Sequence, residues 1–414
     1  MLLFGADARA SSLVISMLAL VCVLVSILVF RDVRFSPLVS FMLIVWSVFT
    51  ALSFKTGRTI GAEDEYLMLL SAIGIFGLGQ YAGQNSNRLK SALWLFLVLG
   101  FLFSTLAFLQ HIVTPDTVLG LQKPYHNTRL TGPFLSSNTA ATFLGLVFLI
   151  SASVFFRGWR MQTSSSNSAG LFLFFEVFEK TSLAVVVCLF SAICLLLTAS
   201  RAGIASTALS ATVFGIWVLL QQVLKHRGEM QGHLWGKVLF VAGSSVLILY
   251  FWNLSGGLAG ARYENVFSDF EYRSKMIEAS WQAFLLEPWF GHGLGSLEQA
   301  KFLLTTPENN MAVDKVKAVH NVFLQWLLQV GIVGVAVLSG VFIYILVKVF
   351  QGALRARRYK TYCLAILCVS LLVGLHGLFD YALEIPVVML AYAWMLGIGH
   401  GISIRYIRSN ANRI

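Results

Sequence analysis

Long apolar runs separated by short polar segments extend from one end of the chain to the other. Eleven of these runs approach the length of about 20 residues that a helix needs to cross a bilayer. The apolar positions within each run are continuous and do not alternate with polar ones, which predicts helices and argues against the strands of a membrane barrel. The predicted spans cover residues 11–30, 37–54, 66–83, 91–110, 138–156, 181–198, 202–223, 238–254, 321–347, 361–378 and 383–404.

The composition supports an all-α integral membrane protein. Of the 414 residues, 57% are hydrophobic and only 12% are charged, whereas soluble chains average about 45–50% and about 25%. Such a chain cannot hide its apolar side chains in a water-soluble core, so we predict one polytopic membrane domain over residues 1–414. The net charge of +11 does not indicate nucleic-acid binding, because Lys and Arg occur in small groups between the apolar runs.

The distribution of Lys and Arg between alternate connections predicts the orientation. One set of connections contains 18 of the 30 cationic residues and the other contains 12, six of them in a single long loop. Because long loops are left out of the positive-inside comparison, the first set is predicted to be cytoplasmic and the C-terminus to lie inside. That set includes a Ser-rich loop at 157–180. Eleven spans put the N-terminus outside, and an even number would put it inside.

Two long connections are predicted on the outer face. The first covers residues 111–137, and the second, 255–319, joins the eighth and ninth spans. A connection of 65 residues is longer than a passive loop usually is and more often belongs to a functional element.

The longer of these loops contains one segment with helical periodicity. Residues 271–286 place Ile277, Trp281 and Phe284 on one face, and Pro288 follows their end. We expect an amphipathic helix that either lies on the membrane surface or caps a cavity.

A histidine stands where the long loop enters the ninth span. His320 can exchange a proton near neutral pH, and the helix N-terminus beside it favours an anion or a neutral imidazole. In the alternative interpretation, His320 or the adjacent Asn321 only caps the helix. The spacing leaves both interpretations open.

Arginine residues flank several membrane entry points on the outer face. Arg201 follows Ser200 in a very short hinge between two spans, so it either binds an anion or satisfies the carbonyls that end the sixth span. Arg129 precedes the fifth span and is not explained by capping. For Arg262 and Arg273 in the long loop, contact with solvent or anionic lipid is the alternative to a ligand. Guanidinium groups suit bidentate recognition of phosphate.

Polar residues at the last hairpin also allow two interpretations. Either a proton relay or a structural cluster is formed by His376, Asp380, Tyr381 and Glu384. Polar groups within membranes tend to pair with one another, which favours the structural cluster. His, Asp and Glu do not occur with the spacing of a metal site, so we predict no bound metal.

Several short motifs occur in order between about residues 125 and 385. They are RLTGPF at 129–134 with Asn138, LTASRAG at 197–203, a segment from Arg273 through Trp281 that leads to PWFGHG at 288–293, His320-Asn321, GIVG at 331–334, and HGLFDY at 376–381. As a set, they resemble the O-antigen ligase and O-antigen polymerase superfamily of bacterial inner-membrane glycosyltransferases.

The resemblance implies a multispan all-α enzyme without metal or cofactor, with a large periplasmic loop and a glycan donor linked to undecaprenyl diphosphate. It implies that His320 is the catalytic base, with Asn321 and Ser200 in support. Ligases of this family typically have twelve spans, so the predicted number is eleven or twelve. The residues that the resemblance assigns to the donor diphosphate are Arg201, Arg273, Arg129 and Arg262.

We therefore expect a multi-pass inner-membrane glycosyltransferase that inverts the anomeric centre and whose active site faces the periplasm. The favoured function is a ligase that transfers the lipid-linked polysaccharide to the lipid A core in lipopolysaccharide assembly. An O-antigen or exopolysaccharide polymerase, or a protein O-oligosaccharyltransferase, would use the same donor with a growing glycan or a protein hydroxyl as acceptor. A transporter or flippase is the most distant alternative, because the span centres contain few charges and the sequence shows no inverted repeat.

Overall fold

Helices dominate the computed structural model, which describes residues 9–30, 32–55, 62–118, 121–123, 128–162, 171–223, 263–297, 305–306, 318–356 and 358–411. Two short strands, β1 (Thr117–Val118) and β2 (Leu121–Gln122), pair antiparallel between the fourth and fifth helices. The long helices are α1 (Arg9–Val29), α2 (Pro37–Lys55), α3 (Glu63–Gly83), α4 (Ser86–Val113), α5 (Ser137–Gln162), α6 (Leu171–Leu197), α7 (Arg201–Val223), α8 (Tyr263–Leu286), α9 (Val322–Arg355), α10 (Lys360–Gly377) and α11 (Pro386–Ala411).

Within the described ranges, nine helices are long and apolar enough to cross a membrane. This finding confirms the predicted all-α integral membrane fold. Helix α2 has a shorter apolar stretch, Pro37–Leu52. The helices coincide with ten of the eleven predicted runs, and the remaining run, 238–254, lies outside the described residues. The total number of spans stays a prediction.

Several helices extend past the apolar runs that predicted them. Helix α5 continues to Gln162 and α6 begins at Leu171, so both enter the predicted connection 157–180. Helix α9 continues past the predicted end of its run, to Arg355. The reason is physical: backbone hydrogen bonds continue beyond the hydrocarbon, whereas the apolar pattern reports only which residues need a nonpolar environment.

The chain divides into two compact units, each made of segments that are distant in sequence. Helices α9, α10 and α11 contribute residues to both. The first unit comprises Met1–Gly83, Ala259–Val347 and Leu375–Gly401, and the second comprises Gln84–Leu258, Lys348–Gly374 and Ile402–Ile414.

In the first unit, α1 and α2 pack against α3, and α3 lies very close to α11. A Cβ atom at Gly397 would lie 2.1 Å from the carbonyl oxygen of Phe76, and one at Gly79 would lie 2.4 Å from that of Trp394. Only glycine permits such an approach, and small residues at helix contacts are typical of membrane proteins.

Helix α9 is interrupted at Gly331, which has φ 65° and ψ −174°, a conformation that is essentially restricted to glycine. The segment after α8 fills the interruption and satisfies backbone groups that the break removes from the helix. Its four hydrogen bonds run from the amides of Ile332, Val333, His292 and Gly293 to the carbonyls of Pro288 (2.8 Å), Trp289 (3.1 Å), Leu328 (2.8 Å) and Gln329 (2.8 Å), respectively.

In the second unit, α5 is largely buried and packs against α4, α6 and α7. The ring of Phe143 on α5 lies 4.4 Å from the ring of Phe103 on α4 and 6.0 Å from the ring of Phe134, measured between centroids. Phe134 belongs to the segment that precedes α5. The aromatic cluster therefore fixes this segment, and the nearby Arg129, against two helices.

Candidate functional site

His320 lies beside the start of α9 and faces a buried carboxylate. Its Nδ1 atom is 3.7 Å from Oδ1 of Asp380, and its ring forms a T-shaped pair with the Tyr381 ring, with centroids 5.1 Å apart. The Asp380 side chain is 1% exposed and the His320 side chain is 29% exposed. The imidazole thus has one nitrogen on the carboxylate side and remains partly accessible to solvent.

Asn321 caps α9. Its side-chain oxygen accepts a hydrogen bond from the amide of Leu324 at 3.0 Å, and its side-chain nitrogen donates to the carbonyl of Leu378 at 3.3 Å. The capping role that the sequence allowed for either residue is filled by Asn321. The second hydrogen bond ties the start of α9 to the segment that contains Asp380.

Two further carboxylates interact in the first unit. Glu384 lies in the 3-10 helix Ala382–Glu384, and Glu65 lies in the first turn of α3. Burial, together with the negative charge of Glu65, raises the pKa of Glu384 to about 8. Glu65 accepts hydrogen bonds from the amide of Gly295 at 2.8 Å and from the side chain of Gln329 at 3.0 Å. The sequence analysis missed Glu65, because acids in a first helical turn usually indicate only a favourable helix terminus.

In the second unit, Arg129 lies against the hinge between α6 and α7. Its guanidinium donates to the carbonyl of Ala199, and the amide of Leu130 donates to the carbonyl of Leu197 at 3.1 Å. Ala199 has a φ of 48°, which is uncommon for a residue with a side chain. Arg129 therefore satisfies a carbonyl at the end of α6, one of the roles that the sequence allowed for Arg201.

Ser200 caps α7 and links it to the start of α5. Its hydroxyl accepts a hydrogen bond from the amide of Gly203 at 3.3 Å and donates to the side-chain oxygen of Asn138 at 2.8 Å. Arg201 is the first residue of α7 and is exposed. A helix N-terminus with a guanidinium beside it attracts anions, and phosphate is a common ligand of such a terminus.

Lys123 is a cation near this hinge that the sequence analysis did not select. Its ammonium lies 3.4 Å from the carbonyl oxygen of Arg129, and its side chain is buried. Burial lowers the pKa of Lys123, and the negative charge of Asp116 offsets part of that effect. An anion bound here would favour the charged form of the Lys123 ammonium. The only sequence signal was a lysine close to Arg129 in the predicted outer connection 111–137.

Helix α8 begins well before the predicted start of the amphipathic helix and ends at Leu286, as predicted. Phe284 is buried, whereas Ile277 and Trp281 are exposed. The three side chains lie on one side of the helix, as predicted, and the rings of Trp281 and Phe284 are 5.1 Å apart between centroids. Phe284 lies at the edge of this side that is buried in protein, whereas Ile277 and Trp281 lie at its exposed edge.

Two of the predicted phosphate-binding residues cannot be placed with their side chains. Arg262 lies outside the described residues, and for Arg273 the structure describes only the backbone within α8. The other predicted residues form two groups, one in each unit. Arg129, Ser200 and Arg201 meet at the hinge, and His320 and Asn321 lie together at α9.

Residues 186–339 match the family model described as O-antigen ligase. The matched segment runs from within α6 to within α9, so it contains Arg201, Arg273 and His320 but not Arg129. No curated protein sequence matches the chain. The family match confirms the resemblance to the O-antigen ligase and polymerase superfamily. Together with the membrane helices, it supports a multi-pass glycosyltransferase of the ligase or polymerase type in O-antigen assembly.

Proposed function

We propose that this O-antigen-ligase-like protein transfers a polysaccharide from undecaprenyl diphosphate to a hydroxyl of the lipid A core in lipopolysaccharide assembly. The reaction takes place on the periplasmic side of the bacterial inner membrane. The observation that carries this proposal is the pairing of His320 with the buried Asp380 at the start of α9. A base of this kind suits an acceptor hydroxyl, which is a weak nucleophile.

His320 removes the proton from the acceptor hydroxyl. Because Asp380 faces Nδ1, its charge favours a proton on that nitrogen and leaves the lone pair on Nε2 to act as the base. The same charge stabilises the imidazolium that forms, as the aspartate does in hydrolase triads. Positioned general bases accelerate reactions by roughly 10²–10⁴-fold.

Arg129 and Arg201 bind the donor diphosphate. As the acceptor oxygen bonds to the anomeric carbon, the bond from that carbon to the diphosphate oxygen breaks, and negative charge grows on the leaving group. Guanidinium groups stabilise this charge, and one well-aimed donor contributes about 3 kcal/mol. Arg262 and Arg273 have the same role in this proposal, by family resemblance. A single displacement inverts the anomeric centre, and a leaving diphosphate requires neither a proton nor a metal in this scheme.

The glycan phenotype of a deletion strain complemented with His320→Ala tests the proposal. We expect lipid A without polysaccharide and an accumulation of full-length lipid-linked chains. Accumulation of single repeat units would instead identify a polymerase, and loss of glycan from a protein with intact lipopolysaccharide would identify a protein O-oligosaccharyltransferase. Normal lipopolysaccharide at a normal protein level would rule out His320 as the base.

Arg34→Ala is a matched control for this complementation. Arg34 is exposed in the connection between α1 and α2, so its loss should leave lipopolysaccharide intact. Reconstitution of the purified protein with lipid-linked glycan and lipid A core separates the enzyme from a transporter. Movement of the donor across the vesicle without a covalent product would overturn the enzymatic proposal.

A further inference from the structure

Helix α8 and the residues that follow it carry an apolar stripe, which the described part of the chain does not cover. Ile277, Trp281 and Leu285 recur at every fourth position, and Trp289 and Phe290 are more than half exposed, at 63% and 64%. We define the apolar stripe by its five exposed members, Ile277, Trp281, Leu285, Trp289 and Phe290.

Helix α8, which carries this stripe, has three faces that follow one another around the helix axis. The first is buried in the first unit, and the apolar stripe comes next. The third is polar and exposed. A helix that lies in a membrane interface needs this order, because protein, lipid and water contact it on successive sides. The buried face contains Met276, Ala279, Ala283 and Phe284, and the polar face contains Lys275, Glu278 and Gln282.

Backbone hydrogen bonds fix the level of the stripe along α9. The amide of Val333 donates to the carbonyl of Trp289 at 3.1 Å. From Val333, α9 rises about 33 Å to its last residue, Arg355, at about 1.5 Å per residue, a length that exceeds the hydrocarbon core of about 30 Å. Ile332 and Val333 are exposed apolar residues at this level, and Ile343, Tyr344 and Val347 continue the exposed apolar surface along the helix. The stripe therefore reaches α9 at a level where that span also exposes apolar side chains.

We propose that the apolar stripe is inserted into the outer leaflet of the membrane and that its partner is phospholipid, at the level where acyl chains meet headgroups. Trp281 and Trp289 have amphipathic rings, which concentrate at this level. The continuity with the lipid-facing surface of α9 favours bilayer lipid over a second protein. This inference does not depend on the catalytic proposal, because it concerns a surface and not the reaction.

Quenching of tryptophan fluorescence by brominated lipid tests the insertion. The full-length protein is reconstituted into phosphatidylcholine vesicles that contain bromine either near the headgroup or near the chain end. The fluorescence of the stripe is obtained by subtracting the tryptophan fluorescence of the double variant Trp281→Phe, Trp289→Phe from that of the parent. This variant keeps large apolar rings and should fold. We expect lipid with shallow bromine to remove most of this difference signal, and lipid with deep bromine or aqueous acrylamide to remove less.

Trp326→Phe is the matched control. Trp326 packs against a buried cluster of Ala62, Tyr66, Leu294 and Val330, so its difference signal should respond weakly to brominated lipid. The proposal is overturned if acrylamide quenches the stripe more strongly than lipid does, since the stripe then lies in water. It is also overturned if neither agent quenches the signal, since protein then covers the stripe.

Discussion

At the residue scale, the central feature is the proposed base, His320, whose partner comes from a distant part of the chain. His320 ends the long loop, and Asp380 lies in the connection between α10 and α11. We expect Asp380→Asn to lower kcat by about tenfold or more, within the roughly 10²–10⁴-fold that a general base supplies. KM should change little.

Asp32→Asn is the control for this variant. Asp32 accepts a hydrogen bond from Tyr81 at 2.5 Å and lies between α1 and α2, so kcat and KM should match those of the parent. An Asp380→Asn protein whose thermal midpoint falls together with kcat would mean that Asp380 supports the fold, and one with the parent kcat would mean that it does not position the imidazole.

Arg201 should act through the geometry of its guanidinium as well as through its charge. Lysine keeps the charge but cannot form a bidentate contact with phosphate. We therefore expect Arg201→Lys to retain part of the activity and Arg201→Ala to lose about 100-fold in kcat/KM, which corresponds to one well-aimed donor of about 3 kcal/mol. Turnover of lipid-linked glycan in proteoliposomes measures both. Arg34→Ala should behave as the parent, and equal activity of all three variants would show that Arg201 has no part in donor binding.

Glu384 should make stability depend on pH. Its pKa in the folded protein is raised from about 4.5 to about 8 by burial and by Glu65. The stabilising contribution of the neutral form is complete below the unfolded value and is lost as pH rises through about 8. Glu384→Gln should make the midpoint of thermal unfolding less dependent on pH over this range. It should also raise that midpoint at alkaline pH. Glu179→Gln, at an exposed position of α6, should follow the parent curve, and a Glu384→Gln curve with the parent slope would contradict the assignment.

Sequence could predict the residues whose type and position already suggest chemistry. His320 and Arg201 both stand beside helix starts at membrane entry points, which the apolar pattern locates. Lys123 and Glu65 could not be found in this way, because their significance lies in contacts that exist only after folding. Asp380 was assigned to a separate cluster for the same reason: its neighbour His320 belongs to a different helix boundary.

At the element scale, the apolar pattern predicted α9 as one continuous span, whereas the structure interrupts it at Gly331. Hydropathy averages over many residues and does not register the φ of one glycine. The compensating hydrogen bonds come from the segment after α8, so the interruption could not be inferred from α9 alone. The same reasoning explains Phe284: periodicity identifies an amphipathic helix but cannot divide its apolar residues between protein and lipid.

Gly331 and Gly340 form a matched pair for testing the interruption. A Cβ at Gly331 would require a left-handed conformation and would lie 2.5 Å from the carbonyl oxygen of Trp289, whereas one at Gly340 meets no atom within 4 Å. We expect Gly331→Ala to destabilise the protein by roughly 1–3 kcal/mol or more, and Gly340→Ala to leave the thermal midpoint unchanged or slightly higher. Equal midpoints, measured by thermal unfolding in detergent, would show that the interruption is not required.

At the scale of the whole molecule, the membrane fold followed from composition, because a chain with 57% hydrophobic residues has to place most of its helices in lipid. The division into two units could not be inferred from the composition. Each unit combines segments that are distant in sequence, and helix pairing depends on close contacts such as the one between Gly397 and Phe76, which hydropathy does not encode.

Topology is the property of the whole chain for which the sequence makes the sharpest prediction. The cationic connections place the C-terminus and residues 356–360 in the cytoplasm. Three spans, α9 to α11, then place residues 378–385 outside. A cytoplasm-active fluorescent fusion should therefore report at the C-terminus, and alkaline phosphatase inserted at 378–385 should be active. Phosphatase activity at 356–360 would reverse the orientation and move His320 to the cytoplasmic side.

The N-terminus then decides between an odd and an even number of spans. Starting from a cytoplasmic C-terminus, eleven crossings place the N-terminus outside and twelve place it inside. A phosphatase fusion at the N-terminus should be active if the predicted run 238–254 crosses the membrane and the other ten runs do so as well. Paired reporters at 224–237 and 255–262 test that run directly, because they must report opposite sides if it spans. If both report the same side, this run does not cross, and the predicted outer loop 255–319 is not separated from α7 by a membrane span.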